Sequence, residues 1–109
     1  MYTLKMYKHA IDCFNKGDIE GMAESWDEDI SIIDMTDDSL VVKGKVHAIQ
    51  MFKNQFKKQP THITIDNVVK MGNKLIAYEK EEDQDHHITE AVCVLEEDQG
   101  LIKKVYWFF

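Results

Sequence analysis

Apolar residues at Leu4, Tyr7, Ile11 and Phe14 step by three, four and three, which lays one stripe along a helix, and Gly17 is placed to terminate it. A first helix is therefore predicted up to about Lys16. Asp18 is suited to cap a second helix carrying Ile19, Met22, Ala23 and Trp26 on one side, until Asp27-Glu28-Asp29 breaks the pattern. The run Ile30-Ser31-Ile32-Ile33 opens a strand predicted to end near Met35. Thr36-Asp37-Asp38-Ser39 reads as a turn into the short apolar run Leu40-Val41-Val42, so the two runs form a hairpin.

Beyond Gly44 the helical spacing returns at Val46, Ile49, Phe52 and Phe56, and Pro60 ends this third helix near Gln59. Its other side holds Lys45, Lys53, Lys57 and Lys58, the pattern of a solvated face with cations near a helix C-terminus. From Thr61 the period becomes two. Thr61 to Met71, Leu75 to Glu81, His86 to Leu95 and Leu101 to Phe109 read as strands, separated by Gly72-Asn73-Lys74, an acidic loop near Glu81 to Asp85, and Glu97-Asp98-Gln99-Gly100. Helices first and a meander last indicate an α+β fold, with N-terminal helices packed on a strongly curved, mostly antiparallel sheet.

The last strand is apolar on both faces near its end. Leu101, Val105, Trp107 and Phe109 alternate with Ile102, Tyr106 and Phe108. One face meets the helices; the other is expected to pack sheet to sheet on a second copy, a homodimer, unless the C-terminal residues fold over a neighbouring strand.

Composition narrows the class. The chain has 109 residues, 44% apolar and 30% charged, with one proline and five glycines, the profile of one globular domain spanning 1–109. A net charge of −7 opposes binding to nucleic acid and to anionic membranes. No segment reaches the roughly 20 apolar residues of a membrane span, so a soluble cytoplasmic protein is expected. Cys13 and Cys93 lie among apolar neighbours and read as buried free thiols.

Asp34 is the leading candidate for chemistry. It closes the run from Ile30, and at period two it shares a face with Ile30 and Ile32, where a carboxylate is costly unless solvated, paired or put to use. His86 and His87, with His62, Asp83 and Asp85 nearby, do not make a metal site, because adjacent strand residues point to opposite faces. His86, on the face of Ile88 and Val92, is a weaker candidate as donor or proton shuttle. No nucleophile elbow, phosphate loop or paired-cysteine motif is present, and no cofactor is expected.

The order of helix, Gly17-Asp18 turn, helix through Trp26, acidic break, strand, Gly44 turn, amphipathic helix and four-strand meander resembles the nuclear transport factor 2-like superfamily. Lys16-Gly17-Asp18-Ile19-Glu20-Gly21-Met22 and Trp26-Asp27-Glu28-Asp29-Ile30 are similar to runs in its SnoaL-like and ketosteroid-isomerase-like branch. The resemblance covers nearly the whole chain. It implies a cystatin-like cone, a pocket between bent sheet and helices, and dimerisation through the sheet's outer side. It also implies that Asp34, five residues beyond Asp29, stands where ketosteroid isomerases place the base that removes a proton beside a ketone. The family's two enolate donors fall at Ala10 and Val92, which cannot donate; Tyr7, Glu90 and Trp107 are the available replacements.

Two readings follow. In one, a small hydrophobic organic molecule binds in an apolar pocket lined by Tyr7, Phe14, Trp26, Phe52, Phe56, Val92 and Trp107, with isomerase- or cyclase-type proton transfer by Asp34 and no cofactor. In the other, the chain is a non-catalytic binding or dimerisation module.

Overall fold

A computed structural model describes all of residues 1–109. The order is α1 (Leu4–Asn15), α2 (Ile19–Met22), a 3-10 turn (Ala23–Ser25), β1 (Trp26–Asp34), β2 (Ser39–Lys43), α3 (Lys45–Lys58), β3 (His62–Met71), β4 (Lys74–Glu82), β5 (Ile88–Asp98) and β6 (Leu101–Phe108). The strands form one sheet in the order β2-β1-β6-β5-β4-β3. Every pairing is antiparallel except β1 with β6, which brings the N-terminal hairpin alongside the last strand of the meander. The three helices cover the concave side of the curled, unclosed sheet. No helix is long and apolar enough to cross a membrane.

Helix ends follow local chemistry. The Thr3 side chain accepts from the Met6 amide at the start of α1. At the other end the Asp18 and Gly17 amides donate to the carbonyls of Cys13 and Phe14, each at 2.8 Å, a Schellman closure made possible by the +81° φ of Gly17. Asp18 then caps α2 by accepting from the Gly21 amide. The next residue of α1's last turn, Asn15, reaches the sheet edge: its amide group donates to the Ile63 carbonyl at 3.0 Å and accepts from the Ile63 N–H at 2.8 Å. That pair of bonds docks α1 on edge strand β3.

Three expectations are corrected. The second helix is a single turn, and Trp26 opens β1 rather than closing a helix, because the acidic run that follows is already extended. The fifth strand begins at Ile88; His86 adopts a φ of +65° in the preceding loop. On β6, Ile102 and Val105 are both buried on the core side, although strict alternation would separate them. The register against β5 shifts there, from Glu97↔Ile102 to Glu96↔Lys104, so Lys103 is an extra residue that reverses the parity. A second shift between Ile65 and Asn67 does the same on β3, keeping Ile63, Ile65 and Val68 against the core. Such bulges bend the sheet into its concave form.

Candidate functional site

Between the sheet and the helices lies a cavity of about 450 Å³ lined by 22 residues, 16 of them hydrophobic. Helix α1 contributes Tyr7, Ala10, Ile11 and Phe14, and α3 contributes Phe52 and Phe56. The floor comes from alternate residues of the strands: Ile32 on β1, Val105 and Trp107 on β6, Cys93 and Leu95 on β5, Glu79 and Glu81 on β4, and Ile63 on β3. Aromatic edges and faces hold the wall together. Ring centroids are 5.4 Å apart for Phe14 and Phe56, 5.6 Å for Trp26 and Phe52, and 5.8 Å for Phe52 and Trp107.

Six residues expected in the pocket line it: Tyr7, Phe14, Trp26, Phe52, Phe56 and Trp107. Four candidates stand elsewhere. Asp34 has the strand parity of Ile32 but sits at the last residue of β1, outside the lining, and its Oδ1 accepts from the Thr36 amide at 2.8 Å. The carboxylate starts the turn into β2. Val92 and Glu90 lie on the outer face of β5, because Ala91, Cys93 and Leu95 are the buried set; Glu90 is hydrogen-bonded there by the Tyr78 hydroxyl. His86 is exposed, its Nδ1 2.7 Å from Glu82 Oε2, a contact that raises its pKa.

Metal-ligating atoms of Asp83, Asp85 and His87 come within 4.8 Å of one another in the loop before β5. Asp83 Oδ1 accepts there from the amides of Asp85 and His87, which shapes the loop.

The polar groups inside the cavity are ones the sequence pattern concealed. Glu79 is 5% exposed and has no ion-pair or hydrogen-bond partner in the protein. Burial, and secondarily the charge of Glu81, lift its carboxyl to about 8. Burial likewise raises Glu81. The Tyr7 hydroxyl is buried without any hydrogen-bond partner. Cys93 is raised well above the usual thiol value, first by burial and then by the Glu79 charge, and burial raises the Tyr2 phenol too. One signal was available: Leu75, Ala77, Glu79 and Glu81 share a strand face, so two acids continue a buried apolar alternation.

A carboxyl raised to about 8 by burial in an aromatic cavity is protonated at neutral pH and lies close enough to that pH to ionise. It is suited to donate a hydrogen bond in one state and to take a proton in the other, with the Tyr7 hydroxyl as a second donor.

Residues 7–101 match the family model of the SnoaL-like domain. The chain belongs to that family. No functionally curated protein matches it. Among solved structures, this SnoaL-like domain is similar to an uncharacterised cystatin-fold protein from Novosphingobium aromaticivorans, at TM-score 0.87 and 16% identity, over 98% of this chain and 97% of that one. It is similar to a provisionally assigned ketosteroid isomerase from Kribbella flavida, at TM-score 0.82 and 18% identity, over 95% and 74% of the two chains. An NTF2-like protein of unknown function from Burkholderia xenovorans superposes at TM-score 0.85 and 12% identity, over 96% and 80%. These likenesses establish the cystatin-like, nuclear transport factor 2-like fold of the SnoaL-like domain.

Proposed function

We propose that the concave cavity binds a small, largely apolar organic molecule and that Glu79 moves a proton on it, in isomerase- or cyclase-type chemistry that needs no cofactor. The observation that carries the reading is the unpartnered Glu79 carboxyl, 5% exposed within an aromatic chamber. Keeping such a group without a partner is costly, and a retained cost of this kind at a cavity wall marks a working acid or base. In the ionised state Glu79 removes a proton beside a carbonyl, and the Tyr7 hydroxyl donates to the oxygen that becomes negative. Asp34, engaged by the Thr36 amide, is not required for this step.

The test is solvent-deuterium exchange into the activated methylene of 2-tetralone, followed by NMR. Glu79→Gln is expected to slow exchange by about 100-fold or more, within the usual range for a lost general base, while Asp34→Asn leaves it near the native rate. Exchange that survives Glu79→Gln but not Asp34→Asn would return the role to Asp34. Binding without exchange in the native protein would support the second reading, a non-catalytic binding module, which the protonated state of Glu79 at neutral pH favours.

The reading includes a homodimer formed through the outer side of the sheet. Two apolar rows cross it in register, Ile76–Val94–Tyr106 and Tyr78–Val92–Phe108. Stacking two such faces would remove them from water together.

A further inference from the structure

From the composition of the cavity wall we infer that its ligand is an organic cation, an ammonium group on an apolar body. This rests on the reading of the cavity as a ligand site and names the chemistry it selects. Two carboxyls, Glu79 and Glu81, stand two residues apart on the same face of β4 and both reach the cavity. Neither forms an ion pair within the protein, although Lys53, Lys70, Lys74, Lys80 and Lys103 all pair with other acids.

Each element packed around the acids contributes its titratable groups to the balance. The N-terminal segment brings the Tyr2 phenol, α1 the Tyr7 phenol and β5 the Cys93 thiol; β3 brings only Ile63, with Thr61 just before it, and β6 only Val105 and Trp107, with Phe109 just beyond it. The one cation is Lys58, exposed in the last turn of α3. Tyr2 and Cys93 are raised and so stay neutral. The interior therefore holds potential negative charge, and the one cation at its wall, exposed Lys58, pairs with neither acid. An anionic ligand would meet two acids, and a neutral one would leave them as they are. A cation would compensate them.

The rest of the wall suits the same ligand. Trp26, Phe52 and Trp107 form a contiguous aromatic surface, with neighbouring centroids 5.6 and 5.8 Å apart, and ring faces attract a cation most strongly where water is excluded. The net charge of −7 draws cations toward the protein. Binding must also discharge a proton. Glu79 holds its proton up to about pH 8, so a bound cation that ionises it releases that proton to solvent below this value, and affinity rises with pH until Glu79 is ionised in the free protein.

The experiment compares three probes of similar shape by calorimetry: benzyltrimethylammonium, its neutral isostere neopentylbenzene, and phenylacetate. The cation is expected to bind about tenfold or more tighter than the neutral isostere, a difference of about 1.4 kcal/mol, and phenylacetate most weakly. Cation affinity should rise several-fold per pH unit from pH 6 to 8 and then level, and repeat titrations in buffers of different ionisation enthalpy should register proton release. Glu79→Gln, which replaces a neutral carboxyl by a neutral amide, should weaken the pH dependence and remove most of the preference for the cation over neopentylbenzene. Equal affinity for the cation and the neutral isostere, or a preference unaffected by Glu79→Gln in a folded protein, would overturn the ammonium inference and leave the cavity reading standing. Failure of all three probes to bind would overturn both.

Discussion

Asp34 and Trp107 are register partners across the parallel β1–β6 pair, and only Trp107 lines the cavity. The same rung continues through Cys93 to Ala77. Position on the rung is therefore not enough to make a residue part of the site. Asp34 ends its strand, where the Thr36 amide is within reach at 2.8 Å, whereas Trp107 packs its indole against Phe52. The acids that do enter the hollow arrive from β4.

Glu79→Gln should change how stability depends on pH. The folded chain keeps the Glu79 proton up to about pH 8, while the unfolded chain loses it near 4.5, so the unfolded state binds fewer protons between those values. Native stability therefore falls as pH rises from about 4.5 to 8, by at most about 5 kcal/mol at 1.4 kcal/mol per pH unit. Urea unfolding at pH 5, 7 and 9 should show the variant gaining on the native protein as pH rises. Parallel curves at all three values would exclude a protonated buried Glu79.

Tyr7→Phe should separate stability from activity. The hydroxyl it removes is buried and unpartnered, so melting should stay within about 1 kcal/mol of native or rise. If the hydroxyl holds the developing oxyanion, tetralone exchange should slow by about 100-fold. A stable variant with native exchange would exclude that role.

Asn15→Ala removes both bonds between α1 and the Ile63 backbone. A loss of about 1–3 kcal/mol is expected, since the Ile63 amide and carbonyl each lose a partner at a partly buried edge. Amide exchange should quicken locally along β3, and unchanged protection at Ile63 would contradict the clamp.

Val92→Lys places a charge at the centre of the outer apolar rows without touching the cavity wall. Sedimentation should show a dimer for the native chain and a folded monomer for the variant. A native monomer would remove the proposed interface.

Much of the frame could be read along the chain because it is set by neighbours in sequence. Gly17 and Asp18 close one helix and cap the next, Pro60 ends the third, and the change of period at Thr61 announces the meander; these rest on backbone geometry and hydrogen bonds that span a few residues. The aromatic wall was legible for the same reason, since Phe14, Phe52 and Phe56 sit on helical stripes. What alternation cannot supply is which face of a strand turns inward. On β5 that choice sent Val92 and Glu90 out and Cys93 in, and on β4 it brought Glu79 and Glu81 inside. Bulges at Lys103 and beside Asp66 reversed parity within a strand, and the parallel seating of β1 on β6 joined segments more than seventy residues apart. Burial of a charge depends on how distant segments exclude water around it, so the acidic character of the cavity was decided only when the sheet curled beneath the helices.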